Sequence, residues 1–136
     1  MKVHFSSKTH EWETPQDFFD TLNKEFKFNL DPCATKENAK CKMCFTPEEN
    51  GLSKSWRGKR VFCNPPYGRE ISGWVVKCAT GGAEIAVALL PARTDTRWWH
   101  DYIQGKAEVR FIKGRLKFGG AKNSAPFPSA VIIFKS

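Results

Sequence analysis

The segment Ala83–Leu90 restricts the fold more than any other part of the chain. It reads AEIAVALL, apolar at every position except Glu84. A strand with one wet face alternates polar and apolar residues. A strand apolar at successive positions must be covered on both faces, as central strands of α/β sheets are. Ala83–Leu90 is therefore expected as a central parallel strand, with helices above and below it. Three further segments read as strands: Arg60–Cys63, Val109–Ile112 and Ala130–Phe134. Leu116–Phe118 is expected as another, and Phe28–Asp31 as a short strand stopped by Pro32. Thr14-Pro15-Gln16-Asp17 is a helix start, with Thr14 as cap, Pro15 in the first turn and Asp17 reaching back. Phe18, Phe19, Leu22 and Phe26 then recur at helical spacing. A second helix is expected after Tyr67, with Ile71, Trp74, Val75 and Cys78 on one side, and a third over Thr94–Gln104. Helices and strands alternate, which is the pattern of an α/β sheet with helices on both faces.

At 136 residues the chain has length for one domain over residues 1–136. No repeat or linker divides it, and no apolar run approaches the ~20 residues of a membrane span. The start, Met1–Ser7, lacks the apolar core of a secretory signal, which points to the cytoplasm. The net charge of +8 favours a polyanionic partner. The five cysteines, Cys33, Cys41, Cys44, Cys63 and Cys78, are an odd set without an export signal, so a disulfide framework is not expected. Cys41 and Cys44 form a CxxC near Cys33, but a second ligand pair at zinc spacing is lacking. No metal is expected, and reduced structural thiols are the simpler reading. His4, His10 and His100 show no partner pattern.

The sharpest chemical feature is Asn64-Pro65-Pro66-Tyr67, at the carboxyl end of the Arg60–Cys63 strand. Ligands of open α/β sheets sit outside the carboxyl ends of strands. Two successive prolines stiffen the loop and donate no backbone hydrogen bonds. The Asn64 amide oxygen and the Pro65 carbonyl are then two rigid acceptors, suited to the two hydrogens of a planar amino group. Tyr67 offers a ring to lie against a flat base.

At these residues the sequence resembles the S-adenosylmethionine-dependent amino-methyltransferases, whose signature is Asn/Asp/Ser-Pro-Pro-aromatic. Other segments narrow the resemblance. Trp12-Glu13-Thr14-Pro15 looks like the N-terminal cofactor motif of adenine methyltransferases. Leu30-Asp31-Pro32-Cys33-Ala34 looks like the proline-containing form of the motif that ends the first strand. Asn50-Gly51-Leu52 with Trp56, Leu90–Thr94, Phe111–Phe118 and Ala125–Ser129 are similar to the phage Dam-like DNA adenine methyltransferases. The similarity runs from Trp12 to Phe134. It implies an abbreviated Rossmann-like methyltransferase sheet, S-adenosylmethionine as cofactor and the N6 amino group of adenine in DNA as acceptor. On that resemblance Asn64, Pro65, Pro66 and Tyr67 are the catalytic residues. Trp12, Thr14, Pro15, Asp31, Pro32, Cys33, Ala34 and Asn50 surround the cofactor. Asp31 is the expected partner of the methionine ammonium, and Asn50 is either an adenine-reading side chain or a plain turn residue.

The glycine-rich form of the cofactor loop is absent, and Asp31 to Asn64 is a short spacing for a full core. Glu48 and Glu49 are weak candidates for the acid that holds the ribose. No separate target-recognition domain is expected after the last core strand. Arg93, Arg97, Arg115 and Lys117, with Lys113, are candidate DNA-phosphate contacts. Trp98 or Trp99 is a candidate for stacking or wedging, and Phe118 and Phe127 are further aromatic candidates. Oligomeric state is left open, and a homodimer that completes the DNA surface is compatible with so short a core. Rival readings are methylation of another planar amine, in RNA guanine or protein glutamine, and a non-catalytic or zinc-stabilised nucleic-acid-binding module.

Overall fold

The computed structural model describes residues 12–119 and 124–136; the start read for a secretory signal, with His4 and His10, lies outside the described residues. The sheet is built on the segment that constrains it most. β2 (Ile85–Pro91) is buried at every residue. It pairs in parallel with β1 (Arg60–Cys63) and antiparallel with β4 (Ser129–Lys135), and β4 carries β3 (Glu108–Phe111) antiparallel on its far side. The order is β1-β2-β4-β3, so the sheet is mixed and its central strand has one parallel and one antiparallel neighbour. Beyond β1, Leu30 and Asp31 form two isolated parallel bridges, Leu30 to Val61 and Asp31 to Cys44. The expected first strand, Phe28–Asp31, is thus reduced to this bridging pair; at Asn29 the side-chain Oδ1 accepts the Arg60 N–H in place of a backbone carbonyl.

Two helices flank the sheet. α1 (Gln16–Phe26) buries Phe19, Leu22 and Phe26, and Phe19 meets the β1 ring of Phe62 edge-on at 5.1 Å. α2 (Ile71–Thr80) buries Ile71, Trp74, Val75 and Cys78, the side expected from spacing. Cys78 reaches Cys63. Phe62 and Cys63 are successive residues of one strand and point to opposite faces. The two helices therefore cover opposite faces. Arg110 on β3 ties the outer edge to α1 through a bidentate contact with Glu25, both arms 2.7 Å long.

Three expected local features take other forms. The α1 cap is Pro15, with no side-chain capping bond; Thr14 turns its hydroxyl to Asn64 instead. Thr94–Gln104 does not form a continuous helix. Helix is present only over 97–103: it starts after Thr96, whose Oγ1 caps it by accepting the Trp99 N–H, and widens into a five-residue π-helical turn over Trp99–Ile103. The wide turn still buries both Trp98 and Trp99. Leu116–Phe118 is not a strand. Its backbone is held by Ala125 N–H to Leu116 O, and Phe118 is buried against Trp12, Tyr67 and Phe127.

Candidate active site

β1, β2 and β3 all run antiparallel to β4 or parallel to a strand that does, so their carboxyl ends lie at one end of the sheet. Asn64 leaves β1 there, Arg93 and Arg97 follow β2, and Lys113, Arg115 and Lys117 follow β3. A cavity of about 220 Å³ opens beside Asn64. Trp12, Thr14, Asp31, Pro32, Cys33, Ala34 and Asn50 all line it, so every residue expected around the cofactor is brought there except Pro15. Of the tetrapeptide expected to be catalytic, Asn64 and Pro66 line the cavity.

Asn64 is held by the N-terminal segment. Its Nδ2 donates to the Trp12 carbonyl and, at 2.9 Å, to Thr14 Oγ1. A carbonyl can only accept, so this contact settles which end of the amide is nitrogen. Asn64 Oδ1 is buried and, with Ser129 Oγ, is a buried side-chain polar atom without a hydrogen-bond partner among the described residues. Such a group costs about 1–3 kcal/mol unless a ligand satisfies it. The Pro65 carbonyl likewise receives no backbone hydrogen bond among the described residues. Tyr67 is buried; its hydroxyl donates to Leu89 O at 2.8 Å, and its ring lies edge-on to Phe118 and Phe127. A base reaches that ring only if the Phe118–Phe127 cluster opens.

The opposite wall is two loops in close contact. Asp31 Oδ2 accepts the Lys40 N–H at 2.9 Å and Oδ1 the Cys33 N–H at 3.4 Å. Burial nevertheless pushes the Asp31 carboxyl above its ordinary range, against the pull of those two N–H groups. Asn50 adopts a left-handed conformation (φ 57°), which asparagine tolerates, and also lines the cavity, so it serves as turn and wall at once. Gly51 follows because nothing larger fits. A Cβ there would stand 2.0 Å from the Pro32 carbonyl oxygen. The Gly51 carbonyl in turn accepts the indole N–H of the fully buried Trp56 at 3.0 Å. Beneath the cavity, Cys33 and Cys63 sulfurs are 3.6 Å apart. Burial raises both thiols, and it pushes Cys41 up to about 12. Among the described residues no group of three or more His, Cys, Asp or Glu side chains is arranged to hold a metal.

Sequence reasoning missed part of the lining. Lys40, Leu52, Glu70 and Trp74 face the cavity. Trp74 sits on the apolar side of α2 and was read only as core. Glu70, the residue before α2, gave no local signal. Glu48 and Glu49 do not line the cavity, and Glu49 Oε1 is occupied by the Thr46 N–H and hydroxyl. Arg93, Arg97, Lys113, Arg115 and Lys117 are exposed. Trp98 is buried, whereas Phe111, 67% exposed and stacked on Trp99, is the large aromatic presented at this end.

Fold and cavity together define an α/β protein with a cavity at the carboxyl ends of its strands. The family described as DNA N-6-adenine-methyltransferase (Dam) matches residues 4–135. The chain belongs to that family. It is 31% identical over 113 residues to a DNA N-6-adenine-methyltransferase of Haemophilus phage HP1, covering 79% of this chain and 65% of that protein. It is 34% identical over 110 residues to a DNA N-6-adenine-methyltransferase of Escherichia phage T1, covering 77% of this chain and 45% of that one. The chain thus spans less than two thirds of the length of these relatives.

Proposed function

We propose that the chain methylates the N6 amino group of adenine in DNA, with S-adenosylmethionine as donor, and that it does so as a single catalytic domain. The observation that carries this reading is the Asn64 amide, whose nitrogen is fully engaged and whose buried oxygen is free. The strand order supports an abbreviated Rossmann-like methyltransferase sheet, with the Leu30–Asp31 bridge as remnant first strand beside β1. The cavity suits the cofactor chemically. Trp12, Leu52 and Trp74 offer apolar surface to a flat ring, and Asp31 offers a carboxylate to an ammonium. Bound S-adenosylmethionine supplies an electrophilic methyl group on sulfur. The adenine amino nitrogen is a weak nucleophile, because its lone pair is delocalised into the ring. Asn64 Oδ1 and the Pro65 carbonyl accept its two N–H hydrogens, aim the lone pair and stabilise the positive charge that grows on nitrogen. The extra proton leaves to solvent after transfer.

The amino group is inaccessible inside a duplex, so the base is flipped out of the stack to reach Asn64. Arg93, Arg97, Arg115 and Lys117 surround that end of the sheet and engage phosphates in a salt-dependent way. A DNA substrate places the protein in a cytoplasm, that of the host if the chain is phage-encoded. The test is incubation with methyl-labelled S-adenosylmethionine and DNA, RNA or a glutamine-bearing peptide in parallel, with nucleoside or residue analysis of the product. Labelled N6-methyladenine from DNA, lost in Asn64→Ala with cofactor binding retained, is the expected result. Label in RNA or peptide alone, or no label despite bound cofactor, refutes the reading.

A further inference from the structure

We infer that Thr14 is a positioning residue for the reaction, acting through Asn64: its hydroxyl accepts the second amide hydrogen of Asn64 and so keeps the amide oxygen turned to the substrate. The inference rests on the functional reading above. An asparagine amide has two ends of nearly equal shape and opposite polarity. Turned one way it accepts from an amino group; turned the other way it presents N–H to N–H and repels it. The Trp12 carbonyl sets the sense, because it can only accept. A single contact still leaves one N–H free to seek another acceptor. Thr14 Oγ1, at 2.9 Å, occupies that second N–H, and Thr14 is itself 4% exposed. Turning the amide over then breaks two buried hydrogen bonds instead of one.

The local structure supports the same assignment. Threonine is a preferred helix cap and Thr14 lies beside α1, yet Pro15 takes the cap position and the helix begins at Gln16 without any side-chain cap. A residue that departs from its best local role while bonding a functional side chain fifty positions away is the pattern expected of a functional site. The wall that surrounds the cofactor site and the catalytic amide are thereby linked through one hydroxyl.

The test compares Thr14→Val and Thr14→Ser with the parent chain. Thr14→Val keeps the shape and removes the acceptor; Thr14→Ser keeps the acceptor. At saturating S-adenosylmethionine and DNA, Thr14→Val is expected to lower kcat about tenfold, the loss of one buried hydrogen bond in fold-change form. At saturation any change in its cofactor Kd does not enter kcat, and Thr14→Ser restores kcat. A Thr14→Val variant with weaker cofactor binding and parental kcat at saturation overturns the inference, because Thr14 then serves the cofactor alone. An independent readout needs no turnover. The Asn64 side-chain amide pair, assigned in ¹⁵N-labelled protein by its absence in Asn64→Ala, should exchange with solvent faster in Thr14→Val and at the parental rate in Thr14→Ser. Unchanged exchange in Thr14→Val overturns the inference even in a chain without methyl transfer, an outcome that separately refutes the functional reading.

Discussion

Gly51→Ala is a one-methyl change whose cost follows from a single distance. The added Cβ would lie 2.0 Å from the Pro32 carbonyl oxygen, 3.0 Å from its carbon and 3.2 Å from its Cβ. Carbon and oxygen in ordinary contact are separated by about 3.3–3.6 Å, so one loop must retreat by more than 1 Å. Neither is free to do so. Pro32 is fixed between the Asp31 backbone bridge and the cavity, and the Gly51 carbonyl holds the indole of buried Trp56. Overpacking of this kind costs about 1–3 kcal/mol. Loss of the Trp56 bond would add about 1–3 kcal/mol more. The expected destabilisation is about 2–6 kcal/mol, a large part of the ~5–15 kcal/mol that holds a domain folded. At about 4 °C per kcal/mol for a chain of this size, Tm should fall by roughly 8–24 °C. Gly58→Ala is the control. Gly58 has φ +72° but nothing within 4 Å of a built Cβ, so it incurs only conformational strain of about 1–2 kcal/mol. Chemical denaturation and thermal melting of both variants decide the matter. A Gly51→Ala protein as stable as Gly58→Ala, with parental cofactor affinity, would show that these loops yield easily and that their contact does not shape the cavity.

Asn64→Ala should lower the rate of methyl transfer by about 10²–10³ at unchanged cofactor Kd, by analogy with loss of one preorganised polar contact; single-turnover kinetics with labelled donor checks it. Trp56→Phe keeps most of the ring and removes one of the two donors to the Gly51 carbonyl, the other being the Lys54 N–H, so it should reduce unfolding free energy by about 0.5–1.5 kcal/mol in urea titrations. The hydrogen bonds from Arg110, aided by charge, hold the Glu25 carboxyl below its ordinary 4.5. That contribution is present above pH 4.5 and disappears as pH falls through the lowered folded value. Glu25→Gln should therefore melt below the parent at pH 7 and together with it at the acid limit, with a gap narrowed by salt. With Cys41 pushed up to about 12, only about one molecule in ten thousand carries its thiolate at pH 8; native protein should resist iodoacetamide at Cys41, and unfolded protein should not.

Much of this protein is legible without coordinates, wherever the deciding interactions lie within a few residues. The apolar run at Ala83–Leu90 specifies a strand covered on both faces, and β2 is buried throughout. Ile71, Trp74, Val75 and Cys78 recur at helical spacing and mark the buried side of α2. Asn64-Pro65-Pro66-Tyr67 announces itself by composition and by following a strand. Tertiary structure decides what depends on distant partners. Local preference makes Thr14 a cap, but a bond to Asn64 takes its hydroxyl elsewhere. Leu116–Phe118 has strand composition, but burial of Phe118 among Trp12, Tyr67 and Phe127 outweighs it. Glu70 and Lys40 belong to the cavity through the paths of their loops, which no periodicity encodes. Gly51 looks like the second half of a turn, and only the Pro32 carbonyl against it shows why a side chain is excluded. Spacing along the chain reports which face a residue presents. The cavity is formed by segments as far apart as Trp12 and Trp74, and their approach is set by packing across the whole sheet.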